Sequence, residues 1–210
     1  MKISTLVVGP IMTNCYILCD EAEKVCLVID PGEEPNRIEL AIRETGCQLQ
    51  AICLTHGHSD HCGGVRRLLQ FHPDVPVYIH AKDAVDDQKA GSALLKFPRL
   101  SEHNQRYYQE GDTLTLGSLT ISVLETPGHS GGSVCLLAED ALFCGDTLFY
   151  TSCGRTDLSD GSYEQILTSL ARLARLEGNY AVYPGHEQDS SLEFERHFNP
   201  YIRQALTLIP

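Results

Sequence analysis

Four side chains able to bind a metal ion stand within the seven residues Thr55-His56-Gly57-His58-Ser59-Asp60-His61, spaced His-x-His-x-Asp-His. Imidazole and carboxylate are the donors that suit zinc, iron or manganese. Alternating ligands on an extended turn can converge on one ion. The adjacent Asp60-His61 pair points elsewhere, toward a second ion nearby. A lone His-x-His would more simply be a His-rich loop; the complete motif outweighs that account. Its flanks agree. The apolar run Ala51-Ile52-Cys53-Leu54 before it predicts a short buried strand. Gly63-Gly64 and a helical apolar pattern follow, so the motif lies on a strand-to-helix turn.

Three later segments share that design: Thr126-Pro127-Gly128-His129-Ser130, Cys144-Gly145-Asp146-Thr147 and Tyr183-Pro184-Gly185-His186-Glu187. Each follows an apolar strand, offers a glycine for a tight bend and presents one metal-competent side chain. Singly, His129, Asp146 or His186 would be an ordinary turn residue. With the first motif they bring the set to five His and two Asp, enough for two ions.

In order along the chain, His56, His58, Asp60, His61, His129, Asp146 and His186 resemble the ligand series of the metallo-β-lactamase superfamily, and within it the type II glyoxalase-like hydrolases. Asn14-Cys15-Tyr16, Val28-Ile29-Asp30-Pro31-Gly32, Gly145-Asp146-Thr147-Leu148-Phe149 and Cys153-Gly154-Arg155 are similar too, so the resemblance covers nearly the whole chain. It implies an αββα sandwich with the site at one edge of two sheets. It implies that His56, His58 and His129 bind one metal, that Asp60, His61 and His186 bind another, and that Asp146 bridges them. Asp30 would stand behind the ligands, where outer partners shape ligand loops. The implied cofactor is a pair of divalent ions, zinc first, with iron or manganese also suited. Two ions beside one water acidify it and polarise a carbonyl, with Asp60 orienting the nucleophile. The implied substrate is a small thioester of the hydroxyacylglutathione type, whose thiolate leaves without much help from an acid.

The sequence departs from the glyoxalase pattern in two places. Those enzymes follow the last metal His with a helical domain that grips glutathione; here 210 − 186 leaves 24 residues, and the expectation is a short form without that domain. Thr156, Asp157 and Gln188 stand where aromatics are expected. Arg155 keeps the positive charge, either to receive a substrate carboxylate or to pair with Asp157; pairing is the favoured reading. The run Cys153-Gly154-Arg155-Thr156-Asp157 also resembles a sister branch, the iron-dependent persulfide dioxygenases, which use the first-site ligands alone. A lactonase or β-lactamase on the same scaffold is a further alternative. Cys62 adjoins the motif, but His61 fits the spacing better. His72, His80, His103 and His197 match no motif.

The elements that must position these residues are legible in part. Ile3–Val8, Cys15–Cys19 and Val25–Ile29 read as strands. Pro35 opens a helix with Ile38, Ala41 and Ile42 on its apolar face, stopped by Gly46. Val65, Leu68, Leu69 and Phe71 form the buried side of another, and Val77–Ile79 is a strand. Thr113–Leu116 with Leu119–Leu124, and Ser133–Leu137 with Ala141–Cys144, read as hairpins. Ser162 and Gln165 read as a capping box for a helix over Ile166–Ala174, ended by Gly178. Tyr180–Tyr183 is a last strand and Ser191–Leu208 one terminal helix. From Lys82 to Glu110 the pattern is weak, and Asp86-Asp87, Gly91-Ser92 and Phe97-Pro98 predict a partly helical excursion or long loop. The mixed order of elements predicts an α/β (α+β) domain over 1–210 with two mostly antiparallel sheets covered by helices.

A net charge of −12 argues against a nucleic-acid partner, which needs clustered Lys and Arg. No apolar run reaches membrane-spanning length, and Met1-Lys2-Ile3-Ser4-Thr5 lacks a signal peptide's apolar region. Nine scattered cysteines, with Cys26, Cys53, Cys135 and Cys144 inside apolar runs, fit free thiols in a reducing cytoplasm.

Overall fold

Successive side chains of one strand, residues 13–20, enter two different cores, and the layers follow from that alternation. The computed structural model describes residues 1–84 and 97–209. Strands β1 (Lys2–Val8), β2 (Thr13–Asp20), β3 (Val25–Ile29), β4 (Gln48–Cys53), β5 (Val77–His80) and β6 (Gln105–Tyr108) form one sheet in chain order. Helices α1 (Pro35–Thr45), α2 (Ser59–Cys62) and α3 (Val65–Phe71) lie in its connections. Cys15, Ile17 and Cys19 of β2 face the helix side, where they share a core with Ile38, Ile42, Val65 and Leu68. Tyr16 and Leu18 face the other way and meet Ile121, Val123, Leu136 and Phe143 from a second sheet.

That second sheet contains β7 (Thr113–Leu116), β8 (Leu119–Glu125), β9 (Val134–Ala138) and β10 (Ala141–Gly145). A short ribbon of β11 (Leu148–Phe149) and β12 (Ser152–Cys153) stands apart. After α4 (Tyr163–Ala174), β13 (Ala181–Pro184) and β14 (Ser190–Ser191) complete the sheet in the order β14-β13-β10-β9-β8-β7. Its outer face packs Leu142, Cys144 and Val182 on Ile166, Leu170 and Leu173 of α4 and on Leu192 and Ile202 of the terminal helices α5 (Leu192–Phe198) and α6 (Pro200–Leu208). Helices, sheet, sheet, helices: the expected αββα sandwich is the observed architecture. Burial of each apolar layer supplies its main stabilisation.

Several details differ from expectation. Antiparallel pairings prevail in the second sheet, but β3, β4, β5 and β6 pair in parallel, so the first sheet is mixed. β6 falls inside the weakly patterned 82–110 stretch. Residues 85–96 lie outside the described residues, and with them Asp86-Asp87 and Gly91-Ser92. Phe97 is buried in the first core. The terminal helix is two: Asn199 is extended, as a residue before proline prefers, and its side chain caps α6 by accepting from the Tyr201 and Ile202 amides. α4 stops at Ala174, before Gly178, and Arg196 collects the carbonyls of Ala174, Leu176 and Gly178 at and beyond its end. Ser162 does cap α4 through the Gln165 amide, but its own N–H donates to Gly128 O rather than to the Gln165 side chain.

Candidate metal centre

The C-terminal ends of β4, β8, β10 and β13 open at one edge of the two sheets, and each delivers part of the centre. His56 and His58 occupy the turn after β4, Asp60 and His61 the short α2, and His129, Asp146 and His186 the turns after β8, β10 and β13. Close approach explains two of the glycines. A side chain at Gly185 would meet Asp146 Oδ1 at 2.2 Å and His61 Cε1 at 2.7 Å, and one at Gly32 would meet Asp60 O at 1.5 Å. The His186 turn is tied to the start of the chain. Asn14 Nδ2 donates to Pro184 O (3.0 Å) and Glu187 O (2.9 Å), its N–H to Gly185 O (2.7 Å), and Tyr16 Oη to Pro184 O (2.6 Å).

The seven side chains converge. Donor atoms of His56, His58 and His129 lie within 4.8 Å of one another, as do those of His56, His61 and Asp146, and those of Asp60, His61 and His186. Asp146 stands between the outer groups: Oδ1 faces His61 Nε2 at 3.3 Å, while Oδ2 faces His129 Nε2 at 3.4 Å and His186 Nε2 at 3.5 Å. Asp60 Oδ2 is 3.3 Å from both His61 Nε2 and His186 Nε2. Tetrahedral bonds of about 2.05 Å set donors ~3.3 Å apart, so these spacings are those of a coordination shell. Two further atoms point the same way. His56 Nε2 and Asp146 Oδ1 are buried and have no hydrogen-bond partner among the described residues. Orphans of this kind in a native interior call for an explanation, and a bound cation supplies one.

Behind the donors sits a layer of hydrogen bonds that fixes the rings. Asp30 accepts from the Thr55 amide (2.8 Å) and the Thr55 hydroxyl (2.6 Å), and its Oδ2 lies 2.9 Å from His61 Nδ1. Thr55 Oγ1 contacts His56 Nδ1 at 3.1 Å. His129 Nδ1 meets Arg155 O at 2.8 Å and His186 Nδ1 meets Ile11 O at 3.1 Å. Asp30 lies behind the first motif, in contact with Thr55 and His61.

The electrostatics leave most of the donors deprotonated. Burial and the neighbouring His61 and His58 push His56 well below the ordinary imidazole range. Burial and His129 bring His58 down to about 4. Burial alone would raise Asp60, but hydrogen bonds from His186 and His61 hold it well below the carboxylate range. Asp146 is likewise held down by His61 against its burial. His61 and His186 are the opposite case: Asp146 and Asp30 outweigh burial at His61 and raise it well above the usual range, and the hydrogen bond to Asp60 raises His186 against its burial. Neutral imidazoles beside ionised carboxylates are what a metal demands. Protons held on His61 and His186 are ones an incoming ion must displace.

A model of the metallo-β-lactamase superfamily matches residues 8–186. The chain belongs to the metallo-β-lactamase superfamily. Among similar superfamily members, the probable metallo-hydrolase YqgX of Bacillus subtilis is 36% identical over 209 residues, covering 96% of this chain and 98% of that protein. Hydroxyacylglutathione hydrolase of Hamiltonella defensa is 37% identical over 193 residues, covering 91% of this chain and 70% of the relative. Among solved structures, BLEG-1 B3 metallo-β-lactamase superposes with a TM-score of 0.84 at 31% identity, over 96% of this chain and 99% of the other. TTHA1623 in a di-iron-bound form gives 0.79 at 33% identity, over 94% and 99%. The superfamily's metallo-hydrolase character and a centre with donors for two ions therefore agree.

A cleft of about 500 Å³ opens onto the centre, walled by Ile11, Phe149, Leu158, Arg155, Cys153 and Glu187. Arg155 is fork-paired with Asp157 at 2.7 and 2.8 Å. Cys62 lies in the helix-side core, away from the donor set. His72, His80 and His103 face Glu39, Glu125 and Asp74, and His197 its own helix. Three contributors carry no signal in sequence reading. Thr55 precedes the motif just past the end of β4, with no residue-type signal of its own. Asp83, in the weakly patterned stretch, is buried and accepts from the Gly57 and Gly132 amides and the Ser130 hydroxyl, tying the His56–His58 turn to the His129 turn. Asp160 lies beside His58.

Proposed function

We propose that the chain is a metal-dependent hydrolase of acyl thioesters with two divalent ions, zinc first among the metals that suit its donors. The observation that carries this is the pair of three-donor groups with Asp146 between them. In this reading His56, His58 and His129 hold one ion, Asp60, His61 and His186 the other, and Asp146 both. Bound there, the ions would supply a water acidified toward neutral pH and an electrophile for the carbonyl oxygen. The remaining work belongs to the chain. Asp60, an ionised acceptor on the cleft wall, orients the attacking water. Ile11, Phe149 and Leu158 shelter the acyl group from bulk solvent. A thiolate departs without needing a proton, so no dedicated acid is required. Likeness to a hydroxyacylglutathione hydrolase supports the thioester class.

A second reading, an iron-dependent persulfide dioxygenase, is favoured by the run Cys153-Gly154-Arg155-Thr156-Asp157. One experiment separates them. Metal-quantified protein is assayed with one acyl group on glutathione and on a smaller thiol, with a lactone, with a β-lactam, and with glutathione persulfide under an oxygen electrode. The expected result is thioester hydrolysis without oxygen uptake. Because Thr156, Asp157 and Gln188 replace aromatics, the two carriers should differ in kcat/KM by less than about tenfold, which is roughly 1.4 kcal/mol. Oxygen uptake with the persulfide, or cleavage of the lactone or β-lactam alone, overturns the thioester reading.

A further inference from the structure

Each of the five clustered imidazoles has one nitrogen turned into the centre and one turned out. Four outward nitrogens are held: His56 Nδ1 by Thr55, His61 Nδ1 by Asp30, His129 Nδ1 by Arg155 O and His186 Nδ1 by Ile11 O. His58 is the exception. Its Nδ1 faces His129 Nε2 at 2.9 Å, while its Nε2 is buried without a hydrogen-bond partner among the described residues. Opposite that nitrogen, at 3.6 Å, is Asp160 Oδ2. Both carboxylate oxygens of Asp160 are also buried and without a hydrogen-bond partner among the described residues. A donor and an acceptor, each unsatisfied, face one another just beyond the ~3.2 Å limit of a hydrogen bond.

We infer that Asp160 is the positioning residue of His58: it accepts a hydrogen bond from the Nε2–H, which keeps the proton on Nε2 and leaves the Nδ1 lone pair free for an ion. This rests on the two-metal reading above. The His58–His129 pair at 2.9 Å is closer than the ~3.3 Å donor spacing of tetrahedral coordination. Opening that pair moves the His58 ring outward, toward Asp160. The loop is anchored to receive it. Gly161 N–H donates to Leu158 O at 3.0 Å, and Ser162 N–H to Gly128 O at 2.8 Å, next to His129. The same loop supplies Arg155 O to His129, so one segment orders two of the three rings in that group. An isolated carboxylate buried without a partner costs stability in the metal-free protein, and a hydrogen-bonded His58 relieves it.

The test compares the wild type with D160A and D160N. Zn(II) affinity and stoichiometry are measured by competition with a chelator, melting temperature on the metal-free proteins, and the imidazole N–H protons by NMR on the loaded ones. The expected result is Zn(II) binding weakened by 10–100-fold in D160A. D160N, whose amide oxygen still accepts, should fall between. The metal-free melting temperature should not drop in D160A. A His58 Nε2 proton resolved in the loaded wild type should be lost in D160A. Equal affinity in all three proteins overturns the inference, as does a loss of affinity matched by a loss of metal-free stability. A wild type that takes up fewer than two ions overturns the two-metal reading itself. A wild type with two ions and an unaltered D160A overturns only the role of Asp160.

Discussion

Asp60 and Asp30 are both held by imidazoles, yet they answer different tests. Asp60 borders the cleft, with His61, His186 and the Thr13 hydroxyl (3.5 Å) around it. Asp60→Asn keeps the shape and removes the charge proposed to bind metal and orient water. Turnover should fall by roughly 100-fold or more, far beyond any change in melting temperature; wild-type turnover would remove Asp60 from the mechanism. Asp30 is 1% exposed and faces Thr55 and His61, never the cleft. Asp30→Asn turns a donor toward those donors, so denaturant melts should show a loss of about 1–3 kcal/mol and chelator competition a 10–100-fold weaker ion. A third test concerns acid. The folded His58 titrates at about 4 instead of 6.5, so between those values the unfolded chain binds a proton that the folded chain refuses. This residue therefore costs the metal-free protein stability as pH falls from 6.5 toward 4. His61, raised above the usual range, acts in the opposite sense and loses its contribution as pH rises through its folded value. Replacing His58 by Gln should flatten the acid slope in denaturant melts of the metal-free protein between pH 4 and 7. The donors themselves were legible in the sequence because few residue types bind metal and their spacing is tight. Asp83 and Asp160 were not, because only tertiary approach brings them to Gly57, Gly132 and His58.

Elements were legible where one local rule decided them. β1, β3, α1 and α4 follow from apolar periodicity, and Gly46 does end α1 in a left-handed conformation. The missed pieces are those whose state is set by neighbours. β6 has only Tyr108 buried and exists because it pairs with β5. α2 spans four residues, too few for a periodic pattern. The break at Asn199 was announced by Pro200, yet apolar residues on both sides made the segment read as continuous. Asn199 also donates to Ser152 O (2.9 Å) and Glu195 Oε2 (2.8 Å), so it joins both terminal helices to β12. Asn199→Ala should cost about 2 kcal/mol in a denaturant melt while leaving metal affinity intact. Gly185→Ala should do the reverse. Its new methyl meets the Asp146 carboxylate and the His61 ring, so the ion content of purified protein should drop while the fold persists.

At the scale of the molecule, the donors come from both sheets, so an ion binds only when the sheets are together. Binding to the folded state alone adds about 2.7 kcal/mol per site at a hundredfold excess over Kd. Exhaustive chelation should therefore lower the melting temperature, and Zn(II) should restore it; an unchanged melt would show that the sheets hold without the ions. The described residues contain no helix long and apolar enough to cross a membrane. The sandwich was legible from element order and from the resemblance, whereas the parallel half of the first sheet was missed: the helices between β3, β4 and β5 are the crossovers parallel neighbours require, but the hairpins elsewhere dominated the reading. The bonds from Asn14 and Tyr16 to the Pro184–Glu187 turn carry a kinetic consequence. They join residues as many as 173 positions apart, and contacts of such range are slow to form. The His186 turn thus reaches its place only when β2 and the end of β13 have met. In stopped-flow refolding, capture of the second ion should trail capture of the first and share its rate with the slowest folding phase.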